Sequence, residues 1–279
     1  MKPRIRRHHR ALSARGGAAL AACVLLAAVE PVGAAGDESL EGLHSLVTNQ
    51  DTSPIPLGWS AGAAVYTGAS PYQADSNSVL AFPGAIYMSP TVMYLGDRAS
   101  ATVYQQGLFR VYGRGRLRFD SLTPADHPEW SGLRARRWEL EGGLGTQAVT
   151  PIGLVTLRAD SDVIGRSRGQ DALVSLDFPL LRERLALMPS VAAIWRSSNL
   201  GNYYYGGVSR AEATAQRAYY DVGATLSLSV ALVGSYRFSR HWIGAVVTDY
   251  ERYPRAIQNS PLIGKPGTYD LIAGFGYAF

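Results

Sequence analysis

From Phe109 to Phe119 the chain alternates without a break. Phe109, Val111, Gly113, Gly115, Leu117 and Phe119 share one parity, and Arg110, Tyr112, Arg114, Arg116 and Arg118 share the other. Successive side chains of a strand point to opposite faces, so this segment has one apolar face and one face with four guanidinium groups. A helical period would scatter both sets around the axis. The pattern recurs. Trp138, Leu140, Gly142 and Leu144 oppose Arg137, Glu139, Glu141 and Gly143; Gly153, Val155, Leu157 and Ala159 oppose Thr156, Arg158 and Asp160; Ala172, Val174, Leu176 and Phe178 oppose Asp171, Ser175 and Asp177. Between Val222 and Phe238 the apolar even positions face Gly, Thr, Ser and Arg. A soluble β-sandwich would turn the apolar set inward. A transmembrane barrel turns it to lipid and lines its interior with the polar set.

Three features select the barrel. Aromatic residues fall near strand ends (Trp59, Tyr66, Tyr87, Tyr94, Trp138, Trp195, Trp242, Tyr250, Tyr253, Tyr277), as girdles at the two headgroup levels require. Connections alternate between tight, at 149–151, 179–182 and 239–240, and long, at 121–134, 197–217 and 254–267. Short periplasmic turns and long external loops make that asymmetry. Finally, Tyr269, Leu271, Ala273, Phe275, Tyr277 and the terminal Phe279 share one face, with Gly274 and Gly276 on the other. Gly274, Tyr277 and Phe279 are similar to the C-terminal signal by which the barrel assembly machinery recognises its clients. Ile272 departs from that signal, which has a polar residue there.

The first residues belong to export and not to the fold. Lys2, Arg4, Arg6, Arg7, Arg10 and Arg15 precede an apolar run from Gly16 to Val29 and a small-residue stretch ending at Ala34-Ala35, the order of a cleaved signal peptide. The run is shorter than the roughly 20 residues a spanning helix needs. Leu20-Ala21-Ala22-Cys23 has the form of a lipobox, but the apolar stretch continues past Cys23, as it does in an ordinary leader. Removing 1–35 takes away six of the 27 Lys and Arg and one of the 22 acids, leaving 21 against 21. The basic balance therefore belongs to the leader and gives no reason to expect nucleic acid as a partner. Cys23 is the only cysteine, so the mature chain has neither disulfides nor cysteine metal sites.

The organisation expected is a signal peptide over 1–35, a polar periplasmic segment over 36–56 and an all-β, antiparallel, up-and-down transmembrane barrel over 57–279. Strands are expected near 57–67, 79–89, 91–96, 99–105, 108–119, 135–148, 152–161, 170–178, 183–196, 220–238, 241–253 and 268–279. Twelve strands put both termini in the periplasm. Ten result if the short strands between 79 and 105 merge.

Two sites stand out. Arg110, Arg114, Arg116 and Arg118 face Glu139 and Glu141 on the next strand, as an ion-paired interior or as the wall of a narrow anion-selective channel. Interior room grows with strand number and twelve strands leave little, which favours pairing. Asn202, Tyr203, Tyr204 and Tyr205 mark the longest loop as an external contact surface, or alternatively as a cap on the barrel. Asp160 and Asp162 at a strand end read as solvated loop acids ahead of a cation or headgroup site. No cofactor or metal motif appears. After the leader only His44, His127 and His241 remain, and none stands in a Gly-x-Ser-x-Gly or His-Glu-x-x-His context.

Specific segments resemble the MipA/OmpV outer-membrane proteins. These are Val79-Leu80-Ala81-Phe82-Pro83 leading to Tyr87; Tyr204-Tyr205-Gly206-Gly207-Val208-Ser209 followed by Ala211-Glu212-Ala213; Tyr220-Asp221-Val222-Gly223-Ala224; His241-Trp242; and Asn259-Ser260-Pro261. The tyrosine-to-alanine stretch is the most specific, and the resemblance runs from about Gly58 to Phe279. One extra glycine, Gly206 or Gly207, lengthens the tyrosine motif, and the first strand opens as Gly58-Trp59-Ser60-Ala61-Gly62. The resemblance implies a barrel embedded in outer-membrane lipid without enzymatic activity. It implies further a scaffold between a lytic transglycosylase and a murein synthase; a narrow channel for small solutes is the alternative.

Overall fold

The computed structural model describes residues 55–74 and 77–279. The signal peptide expected over 1–35 and nearly all of the polar segment expected over 36–56 lie outside the described residues. In chain order the strands are β1 (Gly58–Gly68), β2 (Ser78–Met88), β3 (Val92–Tyr94), β4 (Arg98–Gln106), β5 (Phe109–Arg118), β6 (Glu139–Thr150), β7 (Gly153–Asp162), β8 (Gln170–Asp177), β9 (Leu180–Leu181), β10 (Leu185–Arg196), β11 (Thr225–Arg237), β12 (Trp242–Arg252) and β13 (Gly267–Ala278). All neighbouring pairs are antiparallel, and β13 pairs β1 while β10 pairs both β8 and β11, which closes the ring. The two residues of β9 continue the line of β8 along β10, so the barrel has twelve staves.

The count and nearly every stave match the expectation, with two displaced edges. Residues 135–138 and 220–224 belong to loops, because β6 starts at Glu139 and β11 at Thr225. The arginine-bearing stave sits as its parity dictates: Arg110, Arg114, Arg116 and Arg118 are buried while the intervening residues are more exposed. Burial is inverted relative to a soluble protein. Leu144 and Leu228 are 63% and 61% exposed, whereas Arg118 and Glu139 are 2% and 0% exposed. Aliphatic side chains outside and charges inside are stable only where the outside is hydrocarbon. Among the described residues no helix is long and apolar enough to cross a membrane.

Trp59, Trp138, Trp195, Trp242 and Tyr250 face outward as girdle residues. Tyr66 and Tyr253 do not. Tyr66 turns into the lumen, where its hydroxyl donates to Asp270, and Tyr253 is buried among loop residues. Both stand beside strand ends, and only their parity relative to the neighbouring staves separates them from true girdle positions.

The termini of the barrel and its short turns, at 89–91, 107–108, 151–152, 178–184 and 238–241, lie at one rim. At the other rim the longer connections, including 69–77, 119–138, 197–224 and 253–266, fold together into a lid. Its core joins Tyr72, Leu122, Trp130, Leu133, Leu200, Val208, Val222, Ile257 and Ile263. Two short helices belong to it, α1 (Ser198–Tyr204) and α2 (Arg255–Gln258).

Candidate functional site

The lumen wall made by β5 to β8 is a connected ionic network. Arg118 lies 2.8 Å from Glu141, 3.5 Å from Glu139, 3.0 Å from Asp171 and 3.3 Å from Asp120. Arg116 reaches Glu141 at 3.6 Å, and both Arg114 and Arg158 pair with Asp160. The ladder expected between Arg116, Arg118, Glu139 and Glu141 is thus brought together. Arg114 instead turns to the stave beyond, and Arg110 lies over the Tyr112 ring at 4.7 Å. Glycines on β6 make the room: a Cβ on Gly145 would fall on the Tyr112 ring, and one on Gly143 would strike Asp160.

Some members of this network were not legible as partners. Asp160, read as a loop acid, is buried in the ladder. Asp162 caps the following turn, accepting hydrogen bonds from the backbone N–H groups of Ile164, Gly165 and Arg168. Across the lumen Arg196 of β10 grips Glu251 of β12 through two hydrogen bonds, 2.6 and 2.8 Å, and also donates to Ser227 at 3.0 Å. Such forked pairs are among the strongest polar contacts.

Above this network the lid descends into the mouth. Tyr205 takes a hydrogen bond from Arg118 at 3.3 Å and offers its ring face to Arg196 at 4.2 Å. Tyr204 donates to the Arg137 carbonyl at 2.6 Å and accepts, through its own carbonyl, from Tyr72 at 2.9 Å. Both hydroxyls are held neutral, chiefly by burial. Of the four residues expected at an external contact surface, Tyr204 and Tyr205 therefore point into the molecule, and only Asn202 and Tyr203 remain partly open. Gly206, with φ of 94°, brings the chain close to the 259–261 segment, and Ser260 donates to its carbonyl at 2.6 Å. A side chain at Gly206 would collide with Ser260 and Ile263. Two of the segments that carry the family resemblance therefore touch.

Arg217 ties the lid loops together by donating to the carbonyls of Glu129 (2.8 Å), Ser131 (2.9 Å) and Glu212 (3.0 Å). Glu212 accepts from the Arg134 backbone, from Ser209 and from Arg136. Burial opposes its charge, but these hydrogen bonds outweigh that effect and hold its pKa down to about 2. An outward cleft of about 340 Å³ lies here, lined among others by Arg136, Asn202, Tyr203, Glu212, Tyr219 and Asp221. Among the described residues no group of three or more His, Cys, Asp or Glu is placed to hold a metal ion.

At the opposite rim Phe279 is 78% exposed and meets the Tyr277 ring edge-on at 5.5 Å, while His241 stacks on Tyr277 at 5.1 Å. Gly274 lies inward on the same strand. Ile272, the departure from the assembly pattern, packs on Met188, Val233 and Val247 inside the barrel.

A buried ionic lumen inside a belt of exposed aliphatics, with short turns at one rim and a lid at the other, is the build of an integral outer-membrane β-barrel. A family profile described as "MltA-interacting protein MipA" matches residues 61–279, and the chain belongs to that family. It is 24% identical over 231 residues to the putative outer membrane protein YiaT of Escherichia coli O157:H7, a match covering 79% of this chain and 90% of that one. It is 25% identical to Omp26La of Vibrio anguillarum and 26% identical to OmpV of Vibrio cholerae, each match covering 53% of this chain and 57% of the relative. The chain thus spans little more than half the length of those two relatives. Among solved structures, the translocator domain of the autotransporter NalP from Neisseria meningitidis aligns with a TM-score of 0.43 at 11% identity, covering 86% of this chain and 93% of that one. The protein is located in the cell outer membrane.

Proposed function

We propose that this protein is a non-enzymatic outer-membrane scaffold that holds enzymes of murein synthesis and remodelling at its periplasmic rim. The observation that supports this most directly is the closed mouth, where Arg118 and Arg196 are tied both to lumen acids and to Tyr205 of the lid. A barrel built to conduct gains nothing from such a closure, whereas a scaffold needs only a rigid rim. Arg182, Glu183, Arg184 and Arg240 are exposed in the short turns of that rim, where charged contacts with a partner are available. The family name supports the choice of partner, since it describes interaction with MltA. At the same rim the exposed Phe279, with Tyr277 and Gly274, is offered to the barrel assembly machinery.

A second reading, a narrow channel for small solutes, draws on the inward arginines and on Gly62 and Ala245, which stay exposed on the lumen side. Retention of a lytic transglycosylase or a murein synthase on the immobilised full-length protein is the expected result for a scaffold, together with silence in planar bilayers. Stable conductance that changes in Arg114→Ala and Arg116→Ala, with no enzyme retained, would replace the scaffold by the channel.

A further inference from the structure

Among the described residues the barrel wall is incomplete beside β2. β2 has eleven residues and pairs with β1 along all of them, but with β3 only through Tyr87↔Tyr94 and Met88↔Met93. Nine residues of β2, roughly 30 Å of strand, therefore have no neighbouring strand on that side among the described residues. The shortness of β3 accounts for this. β3 stops at Tyr94, and a turn closed by the Leu95 N–H donating to the Arg98 carbonyl at 2.9 Å carries Leu95 inward. There Leu95 packs against Met188, Val233 and Val247 of the far wall and against Ile55, Met88 and Met93. The hairpin that would have continued the wall bends into the lumen, leaving a notch between upper β2 and the upper end of β5, above the turn that joins β3 to β4.

The sequence of β2 is adapted to that notch. Ser89 N–H donates to Val92 O, so odd residues of β2 direct their backbone groups toward β3; Phe279 N–H donates to Trp59 O, so the even residues of β1 and β2 face each other. The open edge thus exposes the backbones of Val79, Ala81, Pro83 and Ala85. Pro83 has no N–H to leave unpaired, and proline on an edge blocks the addition of another strand. The remaining polar groups of the edge are not tolerated facing bare hydrocarbon, only where they line a polar, watered space. Yet the side chains on both faces are apolar: Val79, Ala81, Pro83 and Ala85 outside, Leu80, Phe82, Gly84 and Ile86 inside. Elsewhere, on β4 to β8, the inner face is charged.

A polar edge flanked by apolar side chains, opening from the acyl layer into a lumen with an ionic far wall, matches one chemistry. We propose that the notch is a lateral portal through which a single-chain amphiphile moves between the bilayer and the lumen. Its alkyl chain lies on Leu80, Phe82 and Ile86, and its polar head meets the open edge of β2. Leu80, Phe82 and Ile86 lie in a single row about 20 Å long, the footprint of one extended alkyl chain and not of two side by side.

The mature chain has no cysteine, so single fluorophore sites are available. Phe82→Cys (inner face at the notch), Ala81→Cys (lipid face) and Ser229→Cys (inner face of the far wall) are each labelled with bimane in the mature barrel, which lacks Cys23, and placed in vesicles. Doxyl-stearate is expected to quench Phe82→Cys severalfold more than Ser229→Cys, while doxyl-phosphatidylcholine quenches only Ala81→Cys. Adding Gly84→Phe, at a position where a Cβ meets no atom within 4 Å, fills the slot and removes the stearate effect at Phe82→Cys but not at Ala81→Cys. Quenching of Phe82→Cys by aqueous iodide alone, equal quenching by the two-chain lipid, or no difference from Ser229→Cys overturns the portal.

Discussion

Two walls of the same lumen obey different rules. From β5 to β8 the inward positions near the mouth are dominated by charged side chains, and these pair with one another across neighbouring staves. From β13 through β1 to β2 the inward positions include Ile272, Gly274, Gly276, Gly62, Ala64, Leu80 and Phe82, which make few demands on their neighbours. Buried charges have to meet partners at fixed distances, so the ionic wall is continuous and over-determined. Small apolar residues impose no such geometry, and it is beside them that the barrel tolerates a gap. Closure is strict where electrostatics requires it and relaxed where it does not.

The largest expected effect comes from breaking the ionic wall. Arg118→Ala leaves Glu139, Glu141 and Asp171 without their shared cation, and a loss of about 3–5 kcal/mol is expected in urea unfolding of the refolded barrel. Phe82→Ala on the apolar wall is expected to cost about 1 kcal/mol, because its ring is only partly buried. Equal losses would erase the distinction between the walls.

Glycines sharpen the contrast at a smaller scale. Gly145→Val drives a side chain into the Tyr112 ring and is expected to cost about 1–3 kcal/mol. Gly84→Val enters open space and should change stability by no more than about 0.5 kcal/mol. A pair of unfolding curves decides it.

The smallest effect concerns the lid, which uses charge sparingly. Glu212→Gln is expected to weaken the lid by about 1–2 kcal/mol, read as faster tryptic cleavage in the 119–138 loop with the staves intact. The sign of the pH dependence follows from its lowered pKa. The stabilisation is complete above the ordinary value of 4.5 and disappears as pH falls toward about 2, so acid should loosen the lid within that window. Amide hydrogen exchange in the lid whose difference between the wild type and Glu212→Gln does not shrink as pH falls through that window would remove Glu212 from this role.

Much of this was legible in advance because the strand period is strict. Parity alone put Arg110, Arg114, Arg116 and Arg118 on the face opposite Val111 and Leu117, and a neighbouring strand with the same two-residue period supplied Glu139 and Glu141. Parity does not reach beyond adjacent staves. Asp171 is 53 residues from Arg118, and Glu251 is 55 from Arg196. Only the curvature of the closed wall brings them together. The tyrosines Tyr204 and Tyr205 illustrate the same limit, since a loop sequence does not state whether its rings fold over the mouth or away from it.

The sequence by itself determined that the chain forms two-faced strands and which side chains face the lumen, because these follow from a two-residue period and from the turn residues between runs. Even the open edge left a local trace in Pro83 and in a strand apolar on both faces. Tertiary structure alone decided which charges pair, how the loops close the mouth, and that the β3–β4 hairpin bends inward instead of completing the wall. Those outcomes depend on distances across the barrel, between residues that no sequence period relates.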